Sequence, residues 1–202
     1  MYYIKGPFSY LFLRYMSENV AIISDTHIPS RARDLPEWVE AEIRSADHTI
    51  HAGDVGSRST FEKLESLTAG NLTAVRGDKD PPDLKHPTVA TVELGGRSFV
   101  VTHQGDGSGD RLQNVRDVVL EHGGTNAIGV TGHTHQPANK TIDGIRILNP
   151  GSATGAFPTT TISMMRVTIG NGSVTVETFE RDETFGQRLS GYCARLKAAV
   201  LQ

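Results

Sequence analysis

A chain of 202 residues can hold one α/β domain, or at most two small ones, around a sizeable core. With 37% apolar and 21% charged residues it reads as soluble and globular, and a formal net charge of -3 gives no bulk electrostatic reason for a nucleic-acid or polyanionic partner. Cys193, the only cysteine, excludes an intrachain disulfide and a thiolate zinc site and fits a reducing, cytoplasmic setting, while no apolar run approaches the ~18 residues of a membrane span.

Residues 1–15 are aromatic-rich, and Tyr10-Leu11-Phe12-Leu13 is too short for a signal-peptide core. The expectation is an atypical extension over residues 1–16, with translation starting at Met16, followed by a single domain over 17–202. The alternative is an added edge strand or a dimer contact. The intact mass of native protein decides, since a chain carrying all of residues 1–15 removes the first reading.

The first strand is the β-branched run Val20-Ala21-Ile22-Ile23-Ser24, which ends in Asp25-Thr26-His27. Positions i and i+2 of an extended segment face the same way, so Asp25 and His27 are expected to converge on one ion. Leu35-Pro36-Glu37-Trp38-Val39 opens a helix to about Ala46, with proline where a missing N–H is harmless. A short strand, His48-Thr49-Ile50-His51, leads to Ala52-Gly53-Asp54 and completes a βαβ rhythm. Ser57 to Leu67 reads as a helix capped by Ser57 or Ser59. Asn71 to Arg76 is a third strand, and it too ends in a Gly-Asp pair, Gly77-Asp78.

Beyond Pro81, Pro82 and Pro87, Thr88 to Leu94 and Arg97 to Thr102 form a hairpin around Gly95-Gly96, with His103 at its end. A flexible loop over 105–109 precedes a helix from about Arg111 to His122. A strand from Asn126 to Thr131 then runs into Gly132-His133-Thr134-His135. A second hairpin turns at Asp143-Gly144, and Ile147-Leu148 leads to Asn149-Pro150-Gly151-Ser152. Strands near Thr160–Ile169 and Ser173–Phe179, joined through Gly170-Asn171-Gly172, precede a last helix at about Thr184–Leu201.

Asp25, His27, Asp54, Asp78, His103, His133 and His135 all fall just past a predicted strand end, where open α/β sheets build ligand sites. Seven oxygen and nitrogen donors exceed what one tetrahedral ion needs and suit two ions sharing a carboxylate. Mixed carboxylate and imidazole donors favour transition metals over Ca²⁺ or Mg²⁺: Mn²⁺ first, with Fe²⁺, Zn²⁺ or Ni²⁺ as substitutes. His48, His51, His86 and His122 are read as ordinary surface or core residues.

In order, Asp25-x-His27, Gly53-Asp54, Gly77-Asp78-Lys79-Asp80, His103 and Gly132-His133-Thr134-His135 resemble the signature of the calcineurin-like metallophosphoesterases. Asn149-Pro150-Gly151-Ser152 is similar to their small prokaryotic phosphodiesterase branch. The resemblance runs from about Val20 to Phe179. It implies a four-layer αββα sandwich of two mixed sheets flanked by helices, with a dinuclear site at the carboxyl ends of the strands. It also implies Asp25, His27 and His135 on one ion, Asp78, His103 and His133 on the other, and Asp54 bridging. The implied activity is hydrolysis of a small phosphodiester or phosphomonoester by in-line attack of a metal-bridging hydroxide, with Asp54, Asp80, Lys79 and His103 as the catalytic set.

Several residues depart from that pattern. Asp78 stands where the family ordinarily has Asn, and three carboxylates against two dications leave a net charge of about +1, one unit less than with Asn. The second ion should be held more tightly and the bridging water should be less acidic. Lys79 replaces a common His or Cys; it can restore positive charge beside a phosphate, protonate a leaving oxygen, or simply be solvated. Asp80 is expected to orient a neighbouring site group. Gln104 separates His103 from Gly105, and no arginine follows Ser152 closely, which leaves Arg31, Arg33 and Arg76 as candidate substrate contacts. The competing reading is a non-catalytic, metal-binding scaffold of the same fold engaged in protein–protein interaction, and a third is a mononuclear metal-binding regulator. A homodimer or higher oligomer is left open.

Overall fold

The computed structural model of the chain describes residues 17–104, 110–170 and 172–182. The expectations for residues 1–16, for the 105–109 loop, for Asn171 and for the last helix at about Thr184–Leu201 lie outside the described residues. Among the described residues, ten strands form two sheets of five.

The first sheet contains β1 (Ser17–Ile23), β2 (His48–His51), β3 (Leu72–Ala74), β9 (Thr161–Gly170) and β10 (Ser173–Asp182) in the order β10-β9-β1-β2-β3. Strands β1, β2 and β3 run parallel, whereas β9 and β10 are antiparallel additions. The second sheet contains β4 (Val89–Leu94), β5 (Arg97–Thr102), β6 (Ile128–Val130), β7 (Ala138–Ile142) and β8 (Ile145–Asn149) in the order β4-β5-β6-β8-β7. Its inner strands β5, β6 and β8 are parallel and the edges β4 and β7 are antiparallel.

Side-chain alternation then fixes the layers. On β1, Val20 and Ile22 face the second sheet and join Ile50, Phe99, Val101, Val130, Met165 and Val167 in the central core. Ala21 and Ile23 face the other way, onto α1 (Glu37–Ser45) and α2 (Arg58–Leu67) through Val39, Ile43 and Leu64. On the far side, Val100, Ile145 and Ile147 meet Val115 and Val119 of α3 (Arg111–Gly123). The order is helices, sheet, sheet, helix: the four-layer αββα sandwich implied by the family resemblance. No helix among the described residues is long and apolar enough to cross a membrane.

Helix starts follow their local chemistry. Ser57 Oγ accepts from Thr60 N–H, a cap contributing about 1 kcal/mol, and the Asp110 carboxylate accepts from Leu112 and Gln113. α1 has Pro36 at its cap with no side-chain acceptor. The third and sixth strands are shorter than Asn71–Arg76 and Asn126–Thr131. At their carboxyl ends the backbone leaves the ladder to form ligand loops, as where Arg76 N–H turns to the Pro87 carbonyl.

Candidate metal centre

Five loops, after β1, β2, β3, β5 and β6, converge at one edge of the sandwich. They bring together all seven of the predicted ligands. Asp25, His27 and His135 form one trio whose ligand atoms lie within 4.8 Å of one another, and Asp78, His103 and His133 form a second. Asp54 lies between the trios: its Oδ2 is 3.4 Å from His27 Nε2 and 3.4 Å from His103 Nε2.

Asp25 and His27 do converge, but not through strand alternation. Their φ angles are 52° and 47°, and Asp54, His133 and His135 are also left-handed, at 58°, 68° and 58°. Such a conformation costs roughly 1–3 kcal/mol per non-glycine residue, and clusters of it mark sites held by surrounding structure. That structure is visible. Asp25 Oδ2 accepts from Ser24 Oγ at 2.7 Å and from His133 N–H at 2.9 Å, which leaves Oδ1 facing the trio. Ser152 Oγ donates to the Asp25 carbonyl at 2.8 Å, and Thr154 Oγ1 donates to the Thr26 carbonyl at 2.9 Å. Asn149 Nδ2 donates to the Gly132 carbonyl, and its Oδ1 accepts from Gly151 N–H. The Asn-Pro-Gly-Ser stretch is thus a clamp on the Asp25 and His133 loops.

Asp80 is a positioning residue in this geometry. Its carboxylate accepts from the backbone N–H groups of Asp54 (3.0 Å), Gly56 (2.8 Å) and Gly77 (2.8 Å), so it is already occupied by backbone donors. Two of the glycines are explained by close approach. A Cβ on Gly77 would overlap Asp54 Oδ1, and one on Gly132 would lie 2.8 Å from Asp25 Oδ2. Lys79 is exposed and donates its backbone N–H to Asp54 Oδ1 at 2.7 Å. Gln104 Nε2 donates to Asp78 Oδ1 at 2.8 Å, a use for the residue inserted after His103. Arg31 binds the Phe157 carbonyl at 2.7 Å, Arg76 lines a cavity beside Asp78 and His103, and Arg33 is exposed.

His51 is more than the ordinary core residue expected from sequence. It is fully buried under the site, with Nε2 3.2 Å from Thr26 Oγ1 and Nδ1 accepting from Gly53 N–H. Burial pushes its pKa down to about 4, so it is a neutral strut between the first two ligand loops. Its signal in the sequence was the adjacent Ala52-Gly53-Asp54. Ser24, Thr26 and Thr154 had none.

The donor set fits metal ions. His103 and His135 each give Nδ1–H to a backbone carbonyl at 2.7 Å, Ala52 and Ala156 respectively, which aims both Nε2 atoms into the cluster. His27 Nε2 and His135 Nε2 lie 3.2 Å apart, and His133 Nδ1 lies 2.9 Å from Asp78 Oδ2. Ligands 2.0–2.1 Å from one tetrahedral ion would be about 3.4 Å apart, and two facing imidazole lone pairs need a proton or a cation between them. Among the described residues, buried Asp25 Oδ1 and His103 Nε2 have no hydrogen-bond partner. Electrostatics point the same way. Burial opposes charge on His103, but its pairing with Asp54 and the Asp25 charge outweigh it and raise the pKa to about 9. Burial likewise opposes ionisation of Asp54, yet His103 holds its pKa down to about 2. The cluster is built to attract positive charge.

The model of the calcineurin-like phosphoesterase superfamily domain matches residues 19–172. The chain is 33% identical over 141 residues to a "Probable metallophosphoesterase" of Methanothermobacter thermautotrophicus, covering 67% of this chain and 77% of that one. It is 36% identical over 138 residues to a "Probable metallophosphoesterase" of Methanocaldococcus jannaschii, covering 67% and 68%. Among solved structures, Vacuolar Protein Sorting 29 from Cryptosporidium parvum superposes with a TM-score of 0.67 at 26% identity, covering 83% of this chain and all of that one. The chain belongs to the calcineurin-like phosphoesterase superfamily.

Proposed function

We propose that the protein is a metal-dependent phosphoesterase with a dinuclear site, acting on small phosphodiesters or phosphomonoesters. The observation that carries this reading is Asp54 Oδ2, equidistant at 3.4 Å from one imidazole of each trio and so suited to bridge. Asp25, His27 and His135 would hold one ion, Asp78, His103 and His133 the other, with Mn²⁺ the best match to mixed donors. When bound, the ions supply an acidified water and Lewis-acid contacts for phosphate oxygens.

The chain's own groups do the rest. Asp80 fixes the backbone of Asp54 and of the Gly77 turn, which would hold the Asp54 carboxylate in place for the ions. Hydrogen bonds to Ala52 and Ala156 hold the rings of His103 and His135 in register. Lys79, exposed on the same turn, offers an ammonium for the phosphate or for the leaving oxygen. With seven polar ligands and a neutral His51 beneath them, nothing in the site requires a covalent protein intermediate.

The test is hydrolysis of bis-p-nitrophenyl phosphate with added Mn²⁺. Metal-dependent release is expected, falling at least tenfold in His103→Ala; no release above that control with Mn²⁺, Fe²⁺, Zn²⁺ or Ni²⁺ contradicts the proposal. A second reading, a metal-binding scaffold for protein partners, is favoured by the similarity to Vacuolar Protein Sorting 29 over that protein's whole length. It requires metal binding without turnover, which the same assay separates.

A further inference from the structure

Two cavities are lined by residues of the loops that carry the cluster or by their neighbours. One, of about 220 Å³, lies toward β3 and β5 and includes Arg76, Asp78, Asp80 and His103 in its lining. The other, of about 280 Å³, is lined by Thr134 and Gln136 of the β6–β7 loop and by Pro158, Thr159 and Thr160 of the β8–β9 loop. This second cavity presents hydroxyls and an amide and carries no charged side chain. It borders the ligand loop itself, because Thr134 lies between His133 and His135.

Phe157 immediately precedes Pro158 and is 77% exposed, the one large hydrophobic so exposed among the described residues. A single exposed apolar side chain ordinarily needs no explanation. Here the backbone beneath the ring is tied to the metal ligands. The Ala156 carbonyl accepts the His135 Nδ1–H at 2.7 Å, and the Phe157 carbonyl accepts from Arg31 Nη1 at 2.7 Å. The Arg31 charge is felt at both His27 and His135. The exposed aromatic residue thus sits between a carbonyl bound to His135 and the first residue of the uncharged polar cavity in that loop, Pro158, with the Arg31 guanidinium on its own carbonyl.

We propose that Phe157 is a specificity-determining platform on which the planar base of a nucleotide-type phosphate ester stacks, with the sugar hydroxyls toward Thr134, Gln136 and Thr159 and the phosphate at the cluster beside Arg31. This rests on the phosphoesterase reading and names the substrate class for it. AMP and ribose 5-phosphate share sugar and phosphate and differ in the base, so calorimetric titration of each into the Mn²⁺-loaded full chain isolates the stacking. AMP should bind about tenfold tighter or more. Phe157→Ala should abolish the difference, and Phe157→Trp should preserve it. Equal affinity for the two ligands, no detectable binding of either, or a difference that survives Phe157→Ala overturns the proposal. A phosphoesterase failure looks different: AMP preferred over ribose 5-phosphate, but no metal-dependent hydrolysis of bis-p-nitrophenyl phosphate.

Discussion

Metal loading of the cluster should weaken steeply as pH falls, and His103 sets the range. With its pKa raised to about 9 against the opposing effect of burial, His103 is protonated at neutral pH in the metal-free protein. An ion at Asp78, His103 and His133 needs the neutral ring, so binding must expel that proton. At pH 7 the proton competes with about 2.7 kcal/mol, roughly a hundredfold in apparent affinity, from about 1.36 kcal/mol for each of two pH units; at pH 8 the factor is roughly tenfold. His135, whose pKa is raised by its Asp25 contact in spite of burial, acts in the same direction. The assay is Mn²⁺ titration by calorimetry at pH 7 and pH 8.5 in buffers of different ionisation heat. About one proton should be released for the ion on His103 at pH 7, with tighter binding at pH 8.5. Affinity that is flat across that range, with no proton release, would refute the reasoning.

His103 and Asp54 together govern the pH response of the metal-free fold. A folded pKa of about 9 against 6.5 unfolded means that His103 contributes stability fully below pH 6.5 and loses it as pH rises through 9. Asp54, held near 2 against 3.8, contributes above 3.8 and loses it only as pH falls toward 2. Chelator-treated protein should therefore show a falling melting temperature between pH 7 and pH 9.5, and Mn²⁺-loaded protein should not; parallel curves would contradict this. Asp78→Asn should bind the second ion at least tenfold more weakly yet turn over faster at saturating Mn²⁺, since Asn keeps an oxygen for Gln104 while removing a negative charge. A tenfold drop in turnover with excess Mn²⁺ would sink the charge argument. Asp80→Ala leaves three backbone N–H groups without their carboxylate, a loss of about 3 kcal/mol or more and of order 10 °C in melting temperature. Thermal denaturation reads it, and a shift under 2 °C would mean that the carboxylate is not what holds the ligand turns.

Much of the centre was legible because its chemistry is punctuated locally. A glycine before Asp54, Asp78 and His133, each after a β-branched run, placed these ligands at strand ends without any knowledge of tertiary contacts. What stayed hidden was the backbone. Five of the seven candidate ligands are left-handed, and neither Asp-x-His nor His-x-His announces that, so the convergence of Asp25 and His27 was anticipated for the wrong geometric reason. The struts were hidden too. His51, Ser24 and Thr154 act on residues up to 128 positions away, and their identity is that of ordinary core or loop polar groups. Gln104, in sequence only a residue separating His103 from Gly105, is a donor to Asp78, a role visible only once β5 brings it beside the β3 loop. The four layers came from the family resemblance alone, since Val20-Ala21-Ile22-Ile23 is apolar throughout and does not announce that Val20 and Ile22 face the second sheet while Ala21 and Ile23 face the helices.

The most direct measurement is the number of ions per chain in Mn²⁺-reconstituted protein, by elemental analysis alongside Asp54→Ala. Two ions in the parent chain and loss of the tightly held pair in the variant are the expected result. A single ion in the parent, or two that are retained without Asp54, would contradict a centre organised around a shared carboxylate.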